Sequence, residues 1–289
     1  CDAVREAIAS QDGARIDMSV DRLMAWVDGD IRRALDVVGL LTREPDPYFL
    51  DVVADALSQD ARLGDRRELV EAFLDMAHRD TLKDRRIAAL TFLGERPRGE
   101  AMEAAFLSIS QHDADPDVRG AAVFAIRRQV DIVPSDRARL DRTLMRAAVS
   151  EDFGVRASAV EALSLAEADD GVVSAVEGFL HDDAEPAVRV AAAEKLGQAS
   201  DVQRVRALVA LEQAYVRDAD PRVRCSALVA LVRAGRADAL PVLRRLSGTD
   251  RSLDPAIAHL VASFDAGKTD VEAMLDEAVS FLNGSPVGR

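Results

Sequence analysis

Apolar residues recur along most of the chain at spacings of three and four, the pattern of helices with one buried face. From residue 80 onward the pattern is regular, with two such helices in every 33 to 37 residues. The second helices of these pairs are predicted over 100–111, 136–149, 171–181, 201–215, 237–247 and 269–282. Helix pairs repeated in tandem predict an all-α fold, an α–α superhelix of the α-solenoid type.

Each repeat opens with the same short motif, in which an acidic turn leads to Val-Arg at the start of the first helix. The motif occurs four times, over 113–119, 150–156, 183–189 and 218–224. A weaker copy runs from Asp80 to Arg86, and a degenerate copy begins at Asp254. Copies at so regular a period indicate a repeat architecture.

Within the motif, an acidic residue is placed to begin a helix. Its carboxylate can accept hydrogen bonds from the free backbone N–H groups of the first turn. Proline follows it in four of the copies, and proline suits the first helical position because it has no N–H to leave unpaired. These acidic N-caps are predicted at Asp115, Asp152, Glu185, Asp220 and Asp254.

The Asp-x-x-x-x-Val-Arg signature resembles HEAT repeats, particularly the bacterial type found in phycobilin lyases. The resemblance covers roughly residues 80–265, and helix pairs continue to 282. It implies that Asp and Arg of adjacent repeats form a hydrogen-bonded ladder with a structural role. The residues that it assigns to the ladder are Asp80, Arg86, Asp113, Arg119, Arg156, Asp183, Arg189, Asp218 and Arg224. Ser150 departs from the Asp pattern, which predicts a weaker rung there.

The chain is expected to have three parts. Residues 1–79 are less regular, with helices predicted over 2–10, 19–28, 31–42, 46–58 and 65–78, and we interpret them as divergent helical repeats and a cap. The regular HEAT-like array is expected over 80–282, followed by a frayed tail at 283–289.

Composition narrows the classes of partner. The formal net charge is −14, and such a field repels phosphate backbones, so no nucleic acid is expected as a partner. The chain is 48% hydrophobic but only 4% aromatic, so Ala, Leu and Val must fill the core, which favours closely packed helices. The sequence contains no run of 18 apolar residues that would predict a transmembrane helix.

The residues that most resemble chemical groups of an active site have simpler explanations. His78, His112 and His181 each end a second helix, and stacked helices lie about 10 Å apart, too far for one metal ion to bridge. The acidic run at 113–117 resembles the opening of a calcium loop but lacks its central Gly and closing Glu. Cys225 is expected to be a packed thiol. The sequence therefore predicts no catalytic residue, no metal site and no cofactor.

A partner-binding surface is predicted on the helix at 136–149. Its arginines are Arg137, Arg139, Arg142 and Arg146, of which the last three have the i, i+3, i+7 spacing of one helix face. Arginine forks bind carboxylates in pairs of hydrogen bonds, so the row favours a protein partner with an acidic patch. The alternative is that the row is only a solvated polar face.

Two functions remain open on these grounds. The first is a non-enzymatic HEAT-repeat scaffold that mediates protein–protein interaction. The alternative is a bilin-lyase-like enzyme or carrier that cradles a hydrophobic ligand on the concave face. The repeat does not discriminate between them, because a scaffold fold carries no activity by itself.

The first residue, Cys1, is compatible with a lipid anchor. In bacterial lipoproteins the first mature residue is a cysteine that becomes acylated, and Asp at the second position, here Asp2, is associated with retention in the inner membrane. This resemblance makes Cys1 a candidate for lipidation, with attachment to a membrane through that lipid alone and a location in the cell envelope. The alternative is a fragment boundary in a cytoplasmic protein.

Overall fold

The structure is a computed structural model that describes residues 1–63, 66–95, 100–132, 137–165 and 170–282. These residues form α-helices joined by short turns, and no strand occurs among them. Neighbouring helices pack against one another as in an α-solenoid, so the predicted all-α solenoid fold is confirmed. The predicted tail at 283–289 lies outside the described residues.

The chain divides into two compact units, Cys1–Val155 and Arg156–Arg289, and the division falls within one helix. The first unit contains α1 (Asp2–Ala9), α2 (Gly13–Val27), α3 (Ile31–Leu41), α4 (Pro47–Gln59), α5 (Arg67–Arg79), α6 (Lys83–Gly94), α7 (Glu100–His112), α8 (Pro116–Ile132) and α9 (Arg137–Ala147), and α10 (Phe153–Ala162) begins in it. The second contains α11 (Asp170–Asp182), α12 (Pro186–Leu196), α13 (Arg204–Arg217), α14 (Pro221–Gly235), a 3-10 helix (Arg236–Ala239), α15 (Leu240–Leu246), α16 (Asp254–Asp265) and α17 (Val271–Leu282).

The boundary expected between residues 79 and 80 lies inside the first unit. Helices α4 and α5 both pack against α6, as the helices of neighbouring regular repeats do. The ring of Phe73 on α5 stacks on Phe92 of α6, with centroids 3.9 Å apart, and both side chains are fully buried. Because this aromatic core spans the expected boundary, the irregular start of the chain and the first regular repeat fold as one body.

The acidic turns start their helices in different ways. The Asp152 carboxylate accepts two backbone N–H groups from the first turn of α10, as an N-cap should. Glu185 stands at the N-cap of α12 but makes no side-chain capping bond. Asp254 lies inside α16, whose N-cap is Leu253, and its carboxylate instead accepts the backbone N–H of Gly248 at 2.7 Å.

The first helices of neighbouring repeats approach closely because small residues face each other. An added methyl group at Gly94 on α6 would lie 3.1 Å from the Cα atom of Ala125 on α8. Gly197, at the end of α12, stands in the same relation to Ala230 of α14, at 3.0 Å. Neighbouring second helices are instead joined by long side chains, such as Arg206 on α13, which binds Glu177 on α11.

Candidate functional site

Four of the ladder arginines each join two successive acidic turns, and these are Arg86, Arg119, Arg189 and Arg224. Arg189 shows the arrangement: its Nε and Nη2 atoms donate to the two carboxylate oxygens of Asp218, at 2.7 and 3.0 Å. Its Nη1 atom donates to the backbone carbonyls of Asp183 and Ala184 in its own turn, at 2.9 and 3.1 Å. Arg86 binds both carboxylate oxygens of Asp113 in the same bidentate way, and Arg156 binds those of Asp183.

Three rungs differ from the set implied by the resemblance. Asp80 makes an ion pair with Arg85 at 3.4 Å, and only its backbone carbonyl binds the predicted Arg86. At the turn that begins with Ser150, Asp152 binds Arg119 in place of the missing Asp. The last rung joins Arg224 to Asp250 at 2.9 Å. The sequence did contain a signal for Asp250, which follows its arginine by 26 residues where two other rungs have 27.

The ladder carboxylates are held ionised inside the protein. Burial by itself raises the pKa of Asp183, but hydrogen bonds from Arg156 and from the Glu185 backbone outweigh it, and the net pKa is lowered. Asp218 shows the same balance, with Arg189 as its main partner. The side chains of Arg189 and Asp218 are only 14% and 8% exposed. Each charge is therefore already neutralised by a buried partner, which is the arrangement of a structural bond.

A groove of about 420 Å³ runs between α7 and α9. Its floor is formed by Ala104 and the buried Leu107 of α7. Helix α9 forms one wall of the groove, to which it contributes Arg139, Arg142, Thr143 and Arg146. Ala104 has the smallest side chain of the residues that line the groove. We refer to it as the α7–α9 groove.

The arginines of the predicted row have different surroundings. Arg139 forms an ion pair with Glu103, which is buried on α7. Arg142 and Arg146 are exposed, and neither has an ion-pair partner among the residues that the structure describes. The side chain of Arg137 lies outside the described part. The surface available to a partner therefore consists of Arg142 and Arg146 above an apolar floor, while Arg139 holds α7 and α9 together.

The two cysteines lie in separate clefts. Cys1 is half-buried at the start of α1 and lines a cleft of about 320 Å³ with Trp26 and Leu40. Cys225 is half-buried on α14 in a cleft of about 610 Å³. Burial raises the pKa of the Cys225 thiol, which keeps it protonated at neutral pH and disfavours a nucleophilic role.

The histidines do not come together. His112 is exposed, and its Nδ1 atom lies 2.9 Å from the backbone oxygen of Ser108 in its own helix. Across the described ranges, no three or more His, Cys, Asp or Glu side chains are grouped so that they could hold a metal ion. In the same part of the chain, no helix is both long and apolar enough to cross a membrane.

Comparison with known proteins identifies the repeat. Residues 173–261 match the family model that describes HEAT repeats. The matched stretch includes α12 to α15 and the ladder rung between Arg189 and Asp218. No curated protein matches the chain. The HEAT resemblance is therefore confirmed, whereas the phycobilin-lyase type is not.

Proposed function

Residues 173–261 are HEAT repeats, and from this premise we propose that the chain is a non-enzymatic scaffold that binds another protein through the α7–α9 groove. HEAT repeats commonly serve as protein-interaction scaffolds. The observation that carries the proposal is the pair Arg142 and Arg146, exposed and without ion-pair partners in the described residues, beside the apolar Ala104 and Leu107.

The chemistry of the groove selects an acidic segment. The two guanidinium groups are one helical turn apart on α9 and can each bind a carboxylate through two hydrogen bonds. Ala104 and Leu107 provide apolar area beside them. A groove of about 420 Å³ accommodates a few side chains rather than a domain. We therefore expect the bound element to be a short segment with acidic residues near an apolar one.

The environment of the polar groups elsewhere supports a scaffold over an enzyme. The ladder arginines and aspartates neutralise one another in buried pairs, which leaves them unsuited to proton transfer or to binding a substrate. The Cys225 thiol has a raised pKa, the opposite of what an active nucleophile needs.

Site-specific photo-cross-linking in the native host tests this proposal. A photoreactive side chain at Ala104 should capture a protein partner, because this residue lies on the floor of the groove. Capture should be lost in the double variant Arg142→Glu, Arg146→Glu. A matched control is Arg15→Glu, Arg127→Glu, two exposed arginines on α2 and α8 without ion-pair partners in the described residues. If the groove variant captures the partner as efficiently as the control variant does, the proposal is wrong.

The variant set leaves Arg139 unchanged for a structural reason. An Arg139→Glu substitution would place a second carboxylate beside the buried Glu103 and remove its counter-charge. Leaving a buried charge without its partner is strongly destabilising. A triple variant including Arg139 would therefore confuse loss of binding with loss of folding.

A second candidate function rests on the cleft that contains Cys225. Its floor is apolar, formed by Ala157, Val190 and Val229 on three successive first helices. Such a cleft of about 610 Å³ suits a hydrophobic small molecule, held by a carrier or by an enzyme of the bilin-lyase type. Native mass spectrometry distinguishes the two functions, since a small-molecule adduct is expected only for the second.

A further inference from the structure

A cleft of about 320 Å³ lies in the irregular start of the chain, where α1, α2 and α3 all contribute to its lining. The buried Leu23 of α2 and Val37 of α3 line it together with Trp26 and Leu40, which are 49% and 38% exposed. We refer to it as the α1–α3 cleft. Its volume is at the lower end of the range for pockets that bind small molecules, and most of its lining residues are apolar, so the cleft suits one small ligand.

One buried polar group in the α1–α3 cleft is left without a partner. Ser19 of α2 lines the cleft and is only 8% exposed, and its hydroxyl group makes no hydrogen bond with the residues that the structure describes. The buried hydroxyl groups of Ser58 and Ser110 each donate to a backbone carbonyl of their own helix instead. A buried hydroxyl group that stays unpaired costs free energy, so Ser19 favours a ligand with a polar atom beside it.

Two opposite charges line the same cleft. Arg22 lies on α2 and Asp36 on α3. The two side chains do not pair with each other, and neither has an ion-pair partner in the part of the chain that the structure describes. A ligand with only a carboxylate is repelled by Asp36, and one with only an ammonium group is repelled by Arg22. A ligand that carries both groups satisfies both side chains.

The ring of Trp26 is held in position beside the cleft. The guanidinium group of Arg33 lies over this ring, 5.6 Å from its centroid, and Nη1 of Arg33 donates to the backbone carbonyl of Trp26 at 2.6 Å. About half of the Trp26 surface stays exposed. A tryptophan ring offers a large contact area and loses little conformational entropy on binding. Trp26 and Leu40 can therefore hold the apolar side chain of a ligand.

We propose that the α1–α3 cleft binds an apolar α-amino acid. The carboxylate of the ligand binds Arg22, its ammonium group binds Asp36, and its side chain lies against Trp26 and Leu40. The Ser19 hydroxyl group completes the polar contacts. For a ligand of about ten non-hydrogen atoms in an open cleft, the dissociation constant lies between about 10 µM and 1 mM. The proposal does not depend on the α7–α9 groove.

Fluorescence gives a direct test, because Trp26 is the only tryptophan of the chain and its emission reports on this cleft. Titration of the full chain with L-leucine or L-phenylalanine should change the emission and reach saturation with at least one of them. Glycine has both charges but no apolar side chain, and it should bind at least about tenfold more weakly. Calorimetry of the same titrations gives a second measure. If neither method detects binding of either amino acid below about 10 mM, the proposal is wrong.

Analogues that lack one charged group test the need for both charges. Isoamylamine is leucine without its carboxylate, and isocaproate is leucine without its ammonium group. Phenethylamine and hydrocinnamate are the corresponding analogues of phenylalanine. Each analogue should bind at least about tenfold more weakly than its amino acid, because one charge in the cleft is left unpaired. Isocaproate or hydrocinnamate that binds as tightly as the amino acid would identify a fatty-acid site and contradict the proposal.

Variants of the two charged residues should change the selectivity as well as the affinity. Arg22→Ala should no longer prefer the amino acid over its amine analogue, and Asp36→Asn should no longer prefer it over its carboxylate analogue. Arg15→Ala and Asp17→Asn are matched controls, because both residues are exposed on α2, lie outside the cleft and have no ion-pair partner in the described ranges. All four residues are exposed, so each variant should fold. Cleft variants with the selectivity of the controls would overturn the proposal.

The unpaired hydroxyl group gives an independent readout. Ser19→Ala should weaken binding of the amino acid about threefold to tenfold, the effect of one hydrogen bond. The same variant should unfold at the midpoint of the unmodified chain or above it, because it removes an unpaired buried group. Ser58→Ala, whose hydroxyl group binds the backbone of Asp55, is the control and should leave the affinity unchanged. A Ser19→Ala variant with the affinity of this control would contradict the proposed arrangement.

Discussion

At the scale of single residues, a ladder arginine joins a backbone carbonyl of its own turn to a carboxylate of the next one. Arg189 makes four such hydrogen bonds while only 14% of its side chain is exposed. A lysine could not replace it, since an ammonium group cannot present a planar fork to both oxygens of Asp218. The arginine therefore fixes the distance between neighbouring turns and also neutralises the carboxylate of Asp218.

The first prediction is the cost of removing this arginine. Arg189→Ala leaves the buried carboxylate of Asp218 without its counter-charge, and breaking a buried pair in this way costs about 3–5 kcal/mol. Denaturant unfolding measures the loss. Arg222→Ala is the control, because its partner Asp220 lies in the same turn and Arg222 is 71% exposed. The control should unfold at the midpoint of the unmodified chain. Equal midpoints for the two variants would show that the ladder pair stabilises the fold no more than an exposed ion pair does.

The ladder also predicts a dependence of stability on pH. The pKa of Asp218 is lowered in the folded state from its ordinary value of 3.8, so the unfolded chain binds its proton more readily. The contribution of the pair is therefore complete above about pH 4 to 5 and is lost as the pH falls through the lowered folded pKa. Asp218→Asn should reduce the dependence of the unfolding free energy on pH below about 4. A variant with the unmodified pH profile would contradict the assignment.

At the scale of helices, the sequence predicted most elements but missed some boundaries. The helix expected over 19–28 begins six residues earlier, at Gly13, because the Asp12 carboxylate caps it there. The segment expected as one helix over 237–247 is split into a 3-10 helix and α15. Arg236, just before this segment, has a φ of +49°, a left-handed conformation that ends α14, and nothing in the local pattern signals it.

Contacts between helices were the hardest feature to predict. The stack of Phe73 on Phe92, which joins the irregular start to the repeats, depends on packing between elements. The burial of Glu103, which engages Arg139, depends on the distance between α7 and α9. Periodicity within one helix carries no information about either, so the row of arginines could be predicted but not the fact that one of them is structural.

A prediction at this scale concerns the close approach of the first helices. Gly197→Ala places a methyl group 3.0 Å from Ala230 and should destabilise the second unit by about 1–3 kcal/mol, as overpacking does. Gly178→Ala on α11 is the control, because nothing lies within 4 Å of its added methyl group. This control should gain up to about 1 kcal/mol from helix propensity. Thermal or denaturant unfolding gives both values, and a neutral Gly197→Ala would mean that the helices are not in contact there.

At the scale of the whole molecule, local and global electrostatics oppose each other. The chain carries a formal net charge of −14, which repels an acidic partner at long range. At physiological ionic strength this field is screened beyond about 8 Å, so the charges at the groove dominate the last step of docking. Arg142 and Arg146 can therefore select an acidic segment on an acidic protein, and the selection should be visible mainly in the rate of association.

The most direct test of the scaffold account is the association rate of the partner captured at Ala104, measured with purified proteins over a range of salt concentrations. We expect Arg142→Glu, Arg146→Glu to associate at least about tenfold more slowly than the unmodified chain at low salt. Added salt should slow the unmodified chain more than this variant, while Arg15→Glu, Arg127→Glu should follow the unmodified chain closely. If the groove variant associates at the unmodified rate and with the unmodified dependence on salt, the α7–α9 groove is not the binding site and the account is wrong.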